Sequence, residues 1–105
     1  KALELDFHNT TNLLALSHFY LESDDLQQAM EYARRTVFYS PLSDICLLTY
    51  AIILWLQGDL ETAGYYLKKA KIQNRHVINV EDLKFEYFWR EKAVGALQQL
   101  VLSRH

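Results

Sequence analysis

Apolar residues recur at helical spacing along almost the whole chain. Leu13, Leu16, Phe19 and Tyr20 make one stripe. Leu26, Ala29, Ala33 and Val37 make a second, and Leu60, Ala63, Leu67 and Ala70 a third. Residues three and four apart share a helix face, so each stripe predicts an amphipathic helix with one side against a core. Side chains that cap free N–H groups mark the starts: Asp24 or Asp25 before Leu26, Ser43 before Asp44, Asp59 before Leu60, and Asn79 before Val80. Arg34, Arg35, Lys68, Lys69 and Lys71 crowd later turns, where the macrodipole favours cations. The pattern predicts five helices, over about 10–22, 25–39, 44–56, 60–73 and 79–102, with residues 1–6 as the tail of an earlier one. No segment alternates as a half-buried strand does. One Pro and three Gly are too few for the frequent turns of a β fold. The expected class is all-α.

Shifting the chain by 34 residues matches it to itself. Leu13, Leu14, Asp25, Leu26, Ala29 and Tyr32 fall on Leu47, Leu48, Asp59, Leu60, Ala63 and Tyr66. Ser17 falls on Ala51, Thr36 on Ala70, and Arg34-Arg35 on Lys68-Lys69. The small residues have a packing reason. Where two helices of a pair cross, a large side chain holds the backbones apart, so Ser17 or Ala51 facing Ala29 or Ala63 permits close approach. Pro41 stops one helix before Ser43 starts the next.

A helix–turn–helix period of this length resembles the tetratricopeptide repeat (TPR) family. The first repeat matches through Leu13, Leu16, Ser17 and Tyr20, then Leu26 and Ala29, then Pro41. The second matches through Leu47, Tyr50 and Ala51, then Gly58, Asp59, Leu60 and Ala63, then Ala70. The resemblance covers nearly the whole chain. It implies antiparallel helix pairs stacked as a right-handed superhelical solenoid in one domain, 1–105. Residues 1–9 would be the tail of a preceding repeat, 10–43 repeat one, 44–77 repeat two, and 78–105 a capping helix. Two departures stand out. Arg75 occupies the place of the second Pro, and the third unit lacks the small-residue crossing pattern and reads as one long closing helix.

In that family the first helix of each pair lines a concave face that holds ligands. The resemblance carries those positions onto Thr11, Leu14, His18, Leu21 and Glu22 in repeat one. In repeat two they are Ile45, Leu48, Ile52, Trp55 and Leu56. The last helix is expected to turn Phe85, Trp89, Ala96 and Leu100 toward the groove and Val80, Leu83, Tyr87, Val94, Leu97 and Val101 toward the core. Leu14, His18, Thr49, Asn79 and Leu83 stand where the family's clamp for acidic chaperone C-termini would carry Lys, Asn and Arg. The groove is therefore apolar and that partner class is not expected.

The helix at 44–56 is apolar on nearly all sides, and such a helix must be buried all round. Two neighbours on one side do not cover it. The expected cover is a partner segment, a second copy or more of a parent chain, with inward curvature of the neighbouring helices as the alternative.

Half of the 105 residues are hydrophobic, 23% are charged and the net charge is −2. That excludes a disordered chain and carries no basic footprint for nucleic acid. The longest nearly apolar run, Ile45 to Leu56, is too short for membrane insertion. One Cys forms no internal disulfide and no signal-peptide pattern precedes it, so a cytoplasmic location is expected.

Little in the sequence suggests chemistry. His8, His18, His76 and His105 are scattered, and no pair has metal-ligand spacing. Cys46 sits in the apolar helix without a basic neighbour, and a Cys46–His18 pair would lack an orienting third group. Glu22, Asp24, Asp25, Glu81 and Asp82 read as helix-end charges. No catalytic residue, metal or cofactor is expected. The expected function is non-catalytic binding of an apolar peptide or helix of a partner protein in the groove. Leu14, His18, Leu21, Leu48, Ile52, Trp55, Phe85 and Trp89 would be the partner-binding residues, with Glu22 also on the rim. The alternatives are a self-associating scaffold (homodimer or larger complex), a small secretion-type chaperone of an apolar segment, and a peptide-substrate domain of a larger enzyme. For the last, Asp82-Leu83-Lys84-Phe85-Glu86-Tyr87 is similar to the final helix of the collagen prolyl hydroxylase peptide domain.

Overall fold

A computed structural model describes residues 2–75, 79–86 and 89–103, with side chains described within them except those of residues 2–9, Val80, Phe85 and Glu86. Six helices follow one another: α1 (Ala2–Glu22), α2 (Leu26–Tyr39), α3 (Asp44–Leu56), α4 (Leu60–Gln73), α5 (Val80–Glu86) and α6 (Glu91–Ser103). The described residues are all-α. None of their helices is long and apolar enough to cross a membrane.

The internal repeat is written into the local geometry. Asp25 accepts from the Gln28 N–H at 3.2 Å, and Asp59 accepts from the Thr62 N–H at 3.3 Å. Just before these caps the backbone turns left-handed, with φ 65° at Asp24 and 92° at Gly58. The Asp25 N–H then donates to the Tyr20 carbonyl at 2.9 Å, as the Asp59 N–H does to Leu54 at 3.0 Å. At the other end of each hairpin, the Ser40 hydroxyl donates to Thr10 at 3.4 Å and the Asn74 amide donates to Asp44 at 2.8 Å. Ser17, Ala29, Ala51 and Ala63 are fully buried where the paired helices cross. The Ser17 hydroxyl donates to the Ala29 carbonyl at 3.0 Å, which satisfies its polarity at close helix approach.

Gly58 is where backbone freedom matters. A Cβ there would meet no atom within 4 Å, so only the positive φ opposes a side chain. Gly58→Ala should cost about 1 kcal/mol through left-handed strain alone, measured by urea unfolding. A cost near zero would mean that this turn relaxes freely.

Three features differ from the sequence reading. α1 is continuous from Ala2 and runs through the expected boundary at residue 9, because neither Pro nor Gly lies between Ala2 and Glu22 to stop it. The expected closing helix is two helices, since α5 ends at Glu86 and α6 begins at Glu91. Between them the Trp89 N–H reaches back to the Leu83 carbonyl at 3.0 Å, a bond outside the α-helical pattern. The third difference concerns α3. Ile45, Cys46, Leu47, Leu48, Thr49, Ala51, Ile52, Ile53 and Leu54 are all buried, because α2, α4 and α6 all pack against α3 and α1 touches it as well. The chain supplies its own cover: α6 closes the side that the two hairpins leave open. Its Ala93, Val94, Ala96, Leu97 and Leu100 are buried there. Val94 and Leu97 were expected in the core and Ala96 and Leu100 on the groove side, but all four are inside.

Candidate functional site

The face between α1 and α3 is the site that the sequence points to, and α6 packs against both helices. Leu21, Leu48 and Ile52 are fully buried and Trp89 is nearly so, so these four are not surface anchors in this arrangement. Leu14 and Trp55 are partly buried against the same core. Phe85 lies outside the described side chains. His18 joins α1 to both neighbours: its Nε2 is 3.1 Å from the Thr49 hydroxyl of α3, and its ring centroid is 5.0 Å from that of Trp89.

Two polar contacts fix the start of α6. A Glu22 carboxylate oxygen accepts from the Ala93 N–H at 3.4 Å, capping α6 with a side chain from α1. Lys92 pairs with Asp24 beside it. Glu22 was expected on a wet rim and His18 beside it. Both instead touch the segment that closes the groove.

His18 Nδ1 and Trp89 Nε1 are buried and have no hydrogen-bond partner among the described residues. Burial pushes the His18 pKa from 6.5 down to about 4. This sets the sign of a pH effect. Above pH 6.5 the imidazole is neutral whether folded or unfolded. Between 6.5 and about 4 the unfolded chain takes up the proton and the folded chain does not, so stability falls as pH falls. The full loss is about 3 kcal/mol. A His18→Gln variant should lose most of this slope between pH 6.5 and 4.5 in urea unfolding. An unchanged slope would remove His18 as its source.

The chemistry of the remaining candidates is quiet. Burial raises the Cys46 pKa, so its thiol is protonated near neutrality, and Cys46 contacts the side chains of Ser43 and Thr36. Cys46 and His18 thus have different partners. Among the described residues, no three His, Cys, Asp or Glu side chains gather where they could hold a metal ion. On the outer face of α2, Glu31 pairs with Arg34 at 2.7 Å and with Arg35 at 2.9 Å. A hollow of about 360 Å³ lies on α4, lined by Gly64, Leu67, Lys68, Lys71 and Ile72.

Leu16 and Phe19 belong to the stripe whose spacing predicts an inward face of α1, but they are 38% and 62% exposed. Their equivalents one repeat later are Tyr50, partly buried, and Ile53, fully buried. The 34-residue offset held the signal. Among the described residues no second helix covers this stripe of α1, whereas α2 packs against α3.

Comparison with protein-family models, with curated proteins and with solved structures finds no match.

Proposed function

We propose that this chain is a non-catalytic protein–protein interaction module of the tetratricopeptide kind. Its partner would be an apolar, helical segment of another protein, and no cofactor would take part. The observation that carries the reading is the repeat geometry combined with an unequal use of equivalent positions. Two hairpins share caps, turns and small-residue crossings, yet the stripe that is covered on α3 is open on α1. An exposed aromatic beside an exposed leucine, on a helix whose other side is anchored in the core, is a common form of recognition surface. The concave groove is a poorer candidate. Its expected anchors Leu21, Leu48, Ile52 and Trp89 are buried, and a partner would have to displace α6 to reach them.

The test is selection from a displayed library of helical peptides against the whole chain. Enriched sequences should share apolar residues at i, i+4 and i+7, and their binding should fall when Phe19 is replaced by Glu. If no helical ligand is enriched over an unrelated helical protein used as bait, the reading fails. A stable homodimer by light scattering, with no peptide enriched, would favour the self-associating scaffold.

A further inference from the structure

Opposing demands meet where the chain enters α6. Trp89 is nearly fully buried with its ring beside His18, and that burial takes a large apolar surface out of water. It also strips two polar groups of solvent, since neither the Trp89 indole N–H nor His18 Nδ1 has a hydrogen-bond partner among the described residues. Polar groups buried unpaired oppose the state that buries them, and moving Trp89 away would return both to water. The other attachments of residues 89–94 are few and polar. The Trp89 N–H donates to the Leu83 carbonyl at 3.0 Å, and the Ala93 N–H donates to Glu22 at 3.4 Å, a long bond. Lys92 pairs with Asp24, whose side chain is largely exposed, and exposed pairs contribute little.

Past residue 95 the attachment changes character. Ala93 and Val94 are buried, but the larger anchors of α6 are Leu97 and Leu100, both without exposed surface. Gly95 stands between the two parts. A Cβ there would meet no atom within 4 Å, and its φ is not positive, so neither close packing nor the backbone requires a glycine. Its remaining effect is to weaken the helix at that point.

We propose that residues 89–94 are a hinged strap that opens at Gly95, uncovering Trp89 and the His18 imidazole while Leu97 and Leu100 stay in the core. The closed strap is the ground state, and the open one is reached without unfolding the two hairpins. Acid favours opening. Burial holds the covered imidazole at about 4, against 6.5 when wet, so between those values opening takes up a proton. The charged groups around His18 are Glu22 and Asp24 on the α1 side and Lys92 on α6. α3 presents Thr49, and its single charged residue, Asp44, accepts from Asn74. Arg90 and Glu91 beside the strap are exposed, as are Glu81, Asp82 and Lys84 of α5.

Hydrogen exchange at the Trp89 indole N–H reads the opening directly, because that group is buried without being hydrogen-bonded. It is followed by nuclear magnetic resonance in the whole isotope-labelled chain, with rates corrected for intrinsic exchange. At pH 7 the Trp89 indole should exchange about tenfold faster or more than the backbone amides of Ile52 and Leu100. Gly95→Ala should slow it about fivefold, by stiffening the hinge. Glu22→Gln should speed it, with Ile52 unchanged. Lowering the pH from 7 to 5 should increase opening about twentyfold, and His18→Gln should remove that increase. Gly95→Ala and Glu22→Gln alter no fully buried side chain, so they keep the test open if His18→Gln fails to fold. The proposal is overturned if Trp89, Leu100 and Ile52 report one common opening, because α6 then lifts only with the whole fold. It is also overturned if Gly95→Ala leaves the Trp89 rate unchanged, because the pivot then lies elsewhere.

Discussion

Leu97→Asp should unfold the chain, whereas Leu102→Asp, two turns or less away on the same helix, should leave its stability almost unchanged. Leu97 is fully buried on the side of α6 that covers α3, and Leu102 is 67% exposed. A carboxylate at position 97 must lie without solvent in the apolar core or lift α6 away. The first costs several kcal/mol of desolvation. The second uncovers α3, whose mid-section is buried from Ile45 to Leu54 apart from Tyr50. Either route costs about 5 kcal/mol or more. A domain of this size holds roughly 5–15 kcal/mol in total, so most of the folded population is at risk. Urea unfolding of the two variants beside the wild type reads the contrast. Equal stability of both variants would mean that α6 is a loose appendage.

Ile52→Ala carries the second large effect and separates two accounts of the same residue. As a groove anchor awaiting a partner, Ile52 would be accessible in the free protein, and its truncation would cost little stability. As a side chain with no exposed surface inside the core, its truncation removes transfer free energy and leaves a cavity. The expected cost is about 3 kcal/mol. That corresponds to a fall in Tm on the order of 15 °C, measured by calorimetry. A fall of only one or two degrees would return Ile52 to the surface and with it the groove reading. Trp55→Ala is a useful companion, because Trp55 is only partly buried and should lose less.

Local sequence revealed what local sequence builds. The helices expected over about 25–39, 44–56 and 60–73 are found at Leu26–Tyr39, Asp44–Leu56 and Leu60–Gln73. Each has its own cap: Asp25, Ser43 and Asp59 accept from N–H groups three residues on. The Ser17, Ala51, Ala29 and Ala63 crossings were legible for the same reason, since only small residues allow that approach.

The less legible parts depend on distant partners. α6 draws its cap from Glu22, 71 residues away from Ala93, and no window of sequence displays such a pair. Trp89 leaves the helical pattern to pack beside His18 on α1, which periodicity alone places in an unbroken helix. The same cause explains the exchange of roles at the candidate site. Leu48 and Ile52 looked free because nothing local covers them, yet both are fully buried on α3, against which α6 packs. Leu16 and Phe19 looked buried because their spacing matches a core stripe, and the helix needed to bury them is not among the described residues. Amphipathic spacing tells which side of a helix seeks cover. It does not tell whether the chain provides it.

α6 closes the face between α1 and α3, and Trp89, two residues before α6 begins, packs beside His18 of α1. The most direct measurement is the nuclear Overhauser effect between the indole protons of Trp89 and the imidazole protons of His18 at neutral pH. With ring centroids 5.0 Å apart, a clear cross-peak is expected, and it should weaken in the Leu97→Asp variant. Absence of that cross-peak in the folded wild type would place Trp89 elsewhere and contradict the closure of the face between α1 and α3.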